Sequence, residues 1–155
     1  MKKNSKSGKT TIKGGKKMLV KAELAMKNEF YLEASWIISA ILEKRLKKIL
    51  EKVEPQKPGL SNTFDQNIKR IKHLRLTSNQ MLLTEHFGIP MIDALRIWKN
   101  QRNEVMKDML VRHITKDRLE RLAGDGSRML KEWDGCVKAF KKDFKKRIVL
   151  PATTT

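Results

Sequence analysis

The segment between residues 91 and 113 places an arginine inside the apolar stripe of an amphipathic helix. Its apolar side chains recur at three- and four-residue steps, which is the spacing of one buried helical face. They are Ile92, Leu95, Trp98, Val105, Met106, Met109 and Leu110. At about 100° per residue, Arg102 points into the centre of this face. Because burial of an unpaired guanidinium is costly, we expect a carboxylate, a partner subunit or an anionic ligand to meet it.

The composition favours helices over strands. Only 4 of the 155 residues are proline, so few helices would be interrupted, and Lys, Leu, Glu and Met are abundant. No stretch alternates apolar and β-branched residues for long enough to predict a strand. A chain of this length suits one domain with one core. We therefore expect an all-α protein, an up-and-down bundle of four to five helices.

The two ends of the chain differ in composition from its middle. Residues 1–17 contain seven lysines and no acidic residue, and they carry too little apolar surface to order themselves. The last five residues, after Leu150, have no helical pattern. We expect a disordered basic arm over 1–17, a single helical-bundle domain over 18–150 and a frayed tail over 151–155.

The first long helix is expected from about residue 20 to residue 53, and it is apolar on two sides. The second apolar stripe lies about 100–120° from the first. Its members are Trp36, Ser39, Glu43 and Leu50. A helix that is apolar on two sides is a central helix with neighbours on both. Glu43 is therefore a candidate buried carboxylate and a possible internal partner of Arg102.

Further helical segments follow this central helix. Their approximate ranges are 64–74, 79–86, 91–113 and 115–144. Gly124 and Gly126 lie inside the last segment and could break it. We expect that helix to be continuous, because the apolar periodicity runs through both glycines and Gly126 falls on the inner face.

The chain is strongly basic, with a formal net charge of +18. Removing the seven lysines of the arm still leaves +11, so the helical body is itself basic. Such an excess predicts attraction to polyanions, of which nucleic acid is the most common. The alternative is a solubilising, lysine-rich surface with no specific partner.

Several classes of site and location are not indicated. The single cysteine, Cys136, excludes an internal disulfide and a multi-cysteine zinc site, and no metal, cofactor or catalytic-triad pattern is visible. The longest uncharged apolar stretch, Ala34 to Leu42, is far shorter than the ~20 residues of a membrane span. The basic N-terminus has no hydrophobic segment behind it, so no signal peptide is expected. We expect a cytoplasmic protein without metal, cofactor or membrane.

Three segments carry a resemblance to a known family. They are Tyr31-Leu32-Glu33-Ala34-Ser35-Trp36 through Leu42-Glu43-Lys44-Arg45-Leu46, then Trp98 to Asp108, then Leu122-Ala123-Gly124-Asp125-Gly126 ahead of Met129-Leu130. In this order, over roughly residues 20–145, they resemble the HEPN superfamily. Its members are small four- to five-helix bundles found in RNA-cutting toxins and in nucleotide-binding accessory domains.

The resemblance implies roles for three residues. The family motif is an arginine, commonly followed by asparagine, with a histidine about five residues after the arginine. Arg102 and Asn103 match this motif, but Lys107 stands at the position of the histidine. In active members the arginine and the histidine of the motif surround a scissile phosphate at the interface of two subunits, and cleavage needs no metal. By this likeness Arg102 would bind a phosphate oxygen and Asn103 would orient the arginine.

Lys107 departs from the family pattern, and this departure determines whether RNA cleavage is expected. An ordinary lysine titrates near 10.4, so it is a poor general base at neutral pH, although it serves well as a positive phosphate ligand. The leading hypothesis is a HEPN-like domain that binds RNA or nucleotide phosphate through Arg102, Asn103 and Lys107, as a homodimer through helix 91–113, without efficient catalysis.

Two other hypotheses remain open from the sequence. The first is a metal-independent ribonuclease toxin, of the kind found in toxin–antitoxin pairs, that uses Arg102 and Lys107. The second is a protein-interaction module, an immunity or regulatory partner, in which Arg102 pairs internally with Glu43 and the lysines form a solvated surface.

Overall fold

The computed structural model describes residues 14–55, 63–77 and 81–149, which are almost entirely α-helical. The helices are α1 (Gly14–Lys27), α2 (Tyr31–Val53), α3 (Phe64–Thr77), α4 (Met81–His86), α5 (Ile89–Val111) and α6 (Lys116–Val149). No strand occurs in these ranges, and the all-α bundle predicted from the composition is confirmed. None of the helices in these ranges is long and apolar enough to cross a membrane.

The prediction of a single helix over residues 20–53 is wrong in one respect, because two helices, α1 and α2, cover this range. α1 ends in a Schellman motif, in which the N–H of Phe30 donates to the carbonyl of Ala25 at 2.9 Å and that of Glu29 donates to Met26 at 3.1 Å. Glu29 adopts the left-handed conformation that this motif requires, with φ of 61°. The chain then reverses, so the bundle has six helices in its described residues and not four to five.

The predicted boundary of the basic arm is also corrected. α1 begins at Gly14, so residues 14–17 are helical and not part of a disordered arm. Residues 1–13 of the predicted arm and the predicted tail 151–155 lie outside the described residues.

The helices α2 and α6 run side by side in the same direction. Near their starts, burial and then the neighbouring charge of Glu120 raise the pKa of Tyr31, and further along Arg45 forms an ion pair with Asp134. α5 runs antiparallel to α6, since Arg118 near the start of α6 contacts Asp108 near the end of α5 at 2.8 Å. These directions determine which residues of α2, α5 and α6 lie next to one another.

The predicted continuity of the last helix is confirmed, and Gly126 shows why. α6 runs without a break through Gly124 and Gly126. A Cβ on Gly126 would lie 2.5 Å from Cζ2 of Trp98, so the absence of a side chain lets the indole pack directly on the α6 backbone. The indole Nε1 of Trp98 donates to the carbonyl of Leu122 at 2.9 Å, which satisfies its buried polar atom. The core around this contact includes Trp98, Trp133, Phe87, Phe140, Ile38, Leu42 and Leu46.

The apolar stripe of α5 is buried along most of its length but not at its C-terminal end. Ile92, Leu95, Trp98 and Val105 are buried as predicted. Met109 and Leu110, which the periodicity also placed in the buried face, are 40% and 87% exposed. The last turn of α5 therefore presents apolar side chains to solvent, beside the arginine that interrupts the stripe.

Candidate phosphate-binding site

Arg102 lies on α5 and reaches across to α2. Its side chain is partly buried, and Nη1 donates to the hydroxyl of Ser39 at 2.6 Å while Nη2 donates to Oδ1 of Asn103 at 3.0 Å. Its Nε is buried and has no hydrogen-bond partner among the described residues. Two neutral groups therefore hold the guanidinium, and neither one compensates its charge.

The expected internal ion pair of Arg102 with Glu43 is not formed. The Glu43 side chain is exposed, and no ion pair within 4.0 Å joins the two residues in the described part of the chain. Burial lowers the pKa of Arg102, and the more distant charge of Glu43 opposes this shift only in part. The reason is register: Ser39 meets the guanidinium, and Glu43, one turn further along α2, falls on the solvent side.

Asn103 follows Arg102 on α5 and contacts its guanidinium. It is partly buried, and its amide oxygen accepts a hydrogen bond from Arg102 and fixes the direction of the guanidinium. An arginine held in one orientation loses less side-chain entropy when it binds an anion than a free one does.

Lys107 is not brought together with Arg102 within one protomer. Five residues along a helix correspond to a rotation of about 140°, so the two side chains leave α5 in different directions. Lys107 is exposed. Within one chain the structure thus brings together Arg102 and Asn103 of the three predicted residues, but not Lys107.

Sequence reasoning missed an aromatic side chain beside the site. Trp36 was placed on the second apolar stripe of α2, but it is 53% exposed, one turn before Ser39. Met109, two turns after Arg102 on the same side of α5, is also exposed. The apolar character of both residues was visible in the sequence, but their exposure depends on how α2 and α5 pack.

A group with the residue types of a metal site lies elsewhere, at the contact of α4 with α6. Ligand atoms of Glu85, His86 and Asp143 lie within 4.8 Å of one another. However, Nε2 of His86 already hydrogen-bonds Oδ2 of Asp143 at 2.8 Å, and Arg147 lies 3.4 Å from Glu85. A neighbouring guanidinium competes with a cation for these carboxylates, so we interpret the group as ion pairs that fasten α4 to α6.

Cys136 is a packing residue at the edge of the core. It is partly buried against the core, and burial raises the pKa of its thiol. A raised pKa lowers the fraction of reactive thiolate at neutral pH. Nothing in its surroundings indicates nucleophilic or redox chemistry.

Comparisons with known proteins identify no relative that would inform the function of this site. No protein-family model, no curated protein and no solved structure matches this chain. The functional interpretation therefore depends on the charge, burial and partners of the side chains described above.

Proposed function

We propose that this chain is a HEPN-like helical domain that binds the phosphate groups of RNA or of a nucleotide through Arg102 and Asn103, without efficient catalysis. One observation carries the proposal: the guanidinium of Arg102 is partly buried, and its direct partners are a hydroxyl and an amide. A cation in this setting is stabilised by an anion that approaches from solvent, because the protein itself supplies only neutral contacts.

The arrangement suits a phosphate oxygen in particular. The guanidinium has five N–H donors, and its two observed hydrogen bonds leave three of them, namely the buried Nε–H and one N–H on each terminal nitrogen. Two parallel N–H groups are the arrangement with which arginine binds phosphate bidentately. The exposed ring of Trp36 lies on the adjacent turn of α2, where it can stack with a base.

The geometry favours binding over cleavage. No histidine or carboxylate contacts Arg102 in the described residues, and Lys107 points about 140° away from it on the same helix. A general base must come within hydrogen-bond reach of the proton that it removes. The ribonuclease alternative would need Lys107 of a second protomer, whereas the binding proposal needs only Arg102 and Asn103.

A homodimer through α5 belongs to the same proposal. Met109, Leu110 and Val111, in the last turn of this helix, are 40%, 87% and 76% exposed. Burial of such side chains against a second copy would gain hydrophobic free energy and would exclude water from the nearby guanidinium. The immunity or regulatory alternative has less support, because it relied on an Arg102–Glu43 ion pair that is not found within 4.0 Å among the described residues.

The test compares two arginines of the same helix. Arg102→Gln removes the proposed phosphate ligand, and Arg96→Gln removes the same charge from an exposed position on α5. We expect Arg102→Gln to weaken the binding of a nucleoside monophosphate and of a short RNA at least about tenfold, as loss of a charge-assisted bond would. Arg96→Gln should change the affinity by about twofold or less.

Calorimetric or anisotropy titrations at fixed salt provide the measurement. Equal effects of the two substitutions would refute the site, because only general charge would then matter. Incubation of the unmodified protein with RNA in the absence of divalent metal should give no cleavage. Cleavage that Arg102→Gln abolishes would replace the binding proposal by the ribonuclease one.

A further inference from the structure

A row of positive side chains spans α2 and α6 on a part of the bundle that Arg102 does not reach. We call it the α2–α6 cationic face, and it consists of Arg45, Lys48, Lys52, Lys141 and Lys145. On α2 these residues are three and four positions apart, and on α6 they are four apart, so each set occupies one side of its helix. Because the two helices run in the same direction, the two sets lie next to each other.

Contacts fix two members of this face in place. Arg45 forms an ion pair with Asp134, and both side chains are about one-fifth exposed. The Nζ of Lys52 lies 5.8 Å from the centroid of the Phe144 ring, within the range of a cation–π interaction. The packing of α2 on α6 therefore holds two of the five side chains, one at each end of the α2 row.

The electrostatic surroundings of Lys141 show that the positive charges are concentrated there. Lys141 is partly buried, and its pKa is lowered first by burial and then by the charges of Lys52, Lys48, Arg45 and Lys145. Each of these neighbours repels it. A bound polyanion would relieve this repulsion, because its negative charges neutralise several of these side chains at once.

The face lies on a different side of α2 from the Arg102 site. Ser39, which contacts Arg102, and Lys48 are nine residues apart, which corresponds to a rotation of about 180° around the helix. The groove between α2 and α6 is lined in its first half by α1, where Ile38 and Leu130 border a cavity of about 470 Å³. The cationic face occupies the second half of this groove, toward the ends of both helices.

We propose that the α2–α6 cationic face binds consecutive phosphates along the backbone of an RNA strand. A row of charges fits a polyanion that repeats its charge, whereas a single nucleotide could neutralise only part of the row. Among the described residues, none of the exposed large apolar side chains lies in the flanking segments 45–52 of α2 or 134–147 of α6, so the face lacks the apolar surface that interfacial membrane helices insert. The choice of RNA rests on the proposed function, but the surface is a separate one.

The experiment uses the full chain and two triple variants of equal charge. The test variant carries Lys48→Gln, Lys141→Gln and Lys145→Gln, and the control carries Lys21→Gln, Lys27→Gln and Arg96→Gln at exposed positions outside the face. The affinity for a 20-nucleotide single-stranded RNA is measured from low to moderate salt. The test variant should lose roughly 2 from the slope of log affinity against log salt, at about 0.7 per phosphate contact. The control should lose much less.

Further measurements separate this inference from the proposed function. Binding of a nucleoside monophosphate should be unchanged in the test variant and weakened by Arg102→Gln, and circular dichroism should show that both triple variants are folded. Equal salt slopes for the test and control variants would overturn the inference and leave the Arg102 site standing. Loss of binding to phosphatidylserine vesicles with unchanged RNA binding would also overturn it, in favour of a membrane surface.

Discussion

The position of Arg102 in the sequence predicts the direction in which its side chain points, but not the residue that it contacts. Its place in a periodic stripe predicts that it points into the centre of the buried face, whereas in the structure its side chain is only partly buried. Its partner could not be predicted, because Ser39 is 63 residues away and the register of α5 against α2 depends on the packing of the whole bundle. Ser39 and Glu43 are one helical turn apart, so that register alone decides between a hydroxyl and a carboxylate.

Gly126 is the residue at which a single added carbon should matter most. A Cβ there would lie 2.5 Å from the buried ring of Trp98, so Gly126→Ala must displace the indole or separate α5 from α6. We expect the free energy of unfolding, measured in urea, to fall by about 1–3 kcal/mol, as for other overpacked cores.

Gly135→Ala is the matched control on the same helix. No atom of another helix lies within 4 Å of the point that its Cβ would occupy, so this change should stabilise α6 by up to about 1 kcal/mol. Equal effects of the two substitutions would contradict the close approach of Trp98.

At the scale of the elements, periodicity predicted α3, α5 and α6 but not the break between α1 and α2. Apolar residues continue at helical spacing across residues 28–30, and neither glycine nor proline marks the turn. The reversal depends instead on Glu29 in a left-handed conformation, which a glutamate adopts only when packing on both sides requires it. Burial of α1 and α2 against one another provides that requirement, and it is a tertiary effect.

The same turn gives a prediction for the stability of the α1–α2 hairpin. Glu29→Gly should raise the free energy of unfolding by about 0.5–1 kcal/mol, because glycine adopts φ near 61° without the steric penalty of a Cβ. The ion pair of Glu29 with Lys116 would be lost, but both side chains are 60% exposed, so this pair contributes little. Glu29→Gln keeps the Cβ and removes the charge, and serves as the control. A loss of stability in Glu29→Gly no smaller than that in Glu29→Gln would show that the ion pair, and not the backbone conformation, determines this turn.

At the scale of the whole molecule, the sequence predicted an excess of positive charge but not its distribution. The structure separates two surfaces on different sides of α2: a single arginine held by neutral partners, and a row of five cations shared with α6. That α2 and α6 lie side by side in the same direction could not be read from either helix alone, since nearly 90 residues separate Arg45 from Asp134. The lysine periodicity on each helix was visible, and only their adjacency makes it a face.

This concentration of charge should make the stability of the folded chain depend on pH and salt. The pKa of Lys141 is lowered from its ordinary value of 10.5 by burial and by its cationic neighbours. Between the folded pKa and 10.5, the unfolded chain binds more protons than the folded one, so stability rises with pH in that window. Below this window Lys141 is charged in both states, so burial and repulsion by its neighbours lower the stability of the folded chain by their full amount.

Lys141→Met removes the titrating charge and keeps a stem of similar length. At pH 7 and low salt we expect the variant to be more stable than the unmodified protein by up to about 1 kcal/mol, from relief of several weak like-charge repulsions. This difference in the free energy of unfolding should shrink as the pH rises toward 10.5, and also as salt screens the cluster. Urea titrations of both proteins between pH 7 and 10.5 provide the measurement. Any gain from the added apolar surface of methionine is independent of pH, so a difference that stays constant over this range would show that Lys141 is not strained by its neighbours.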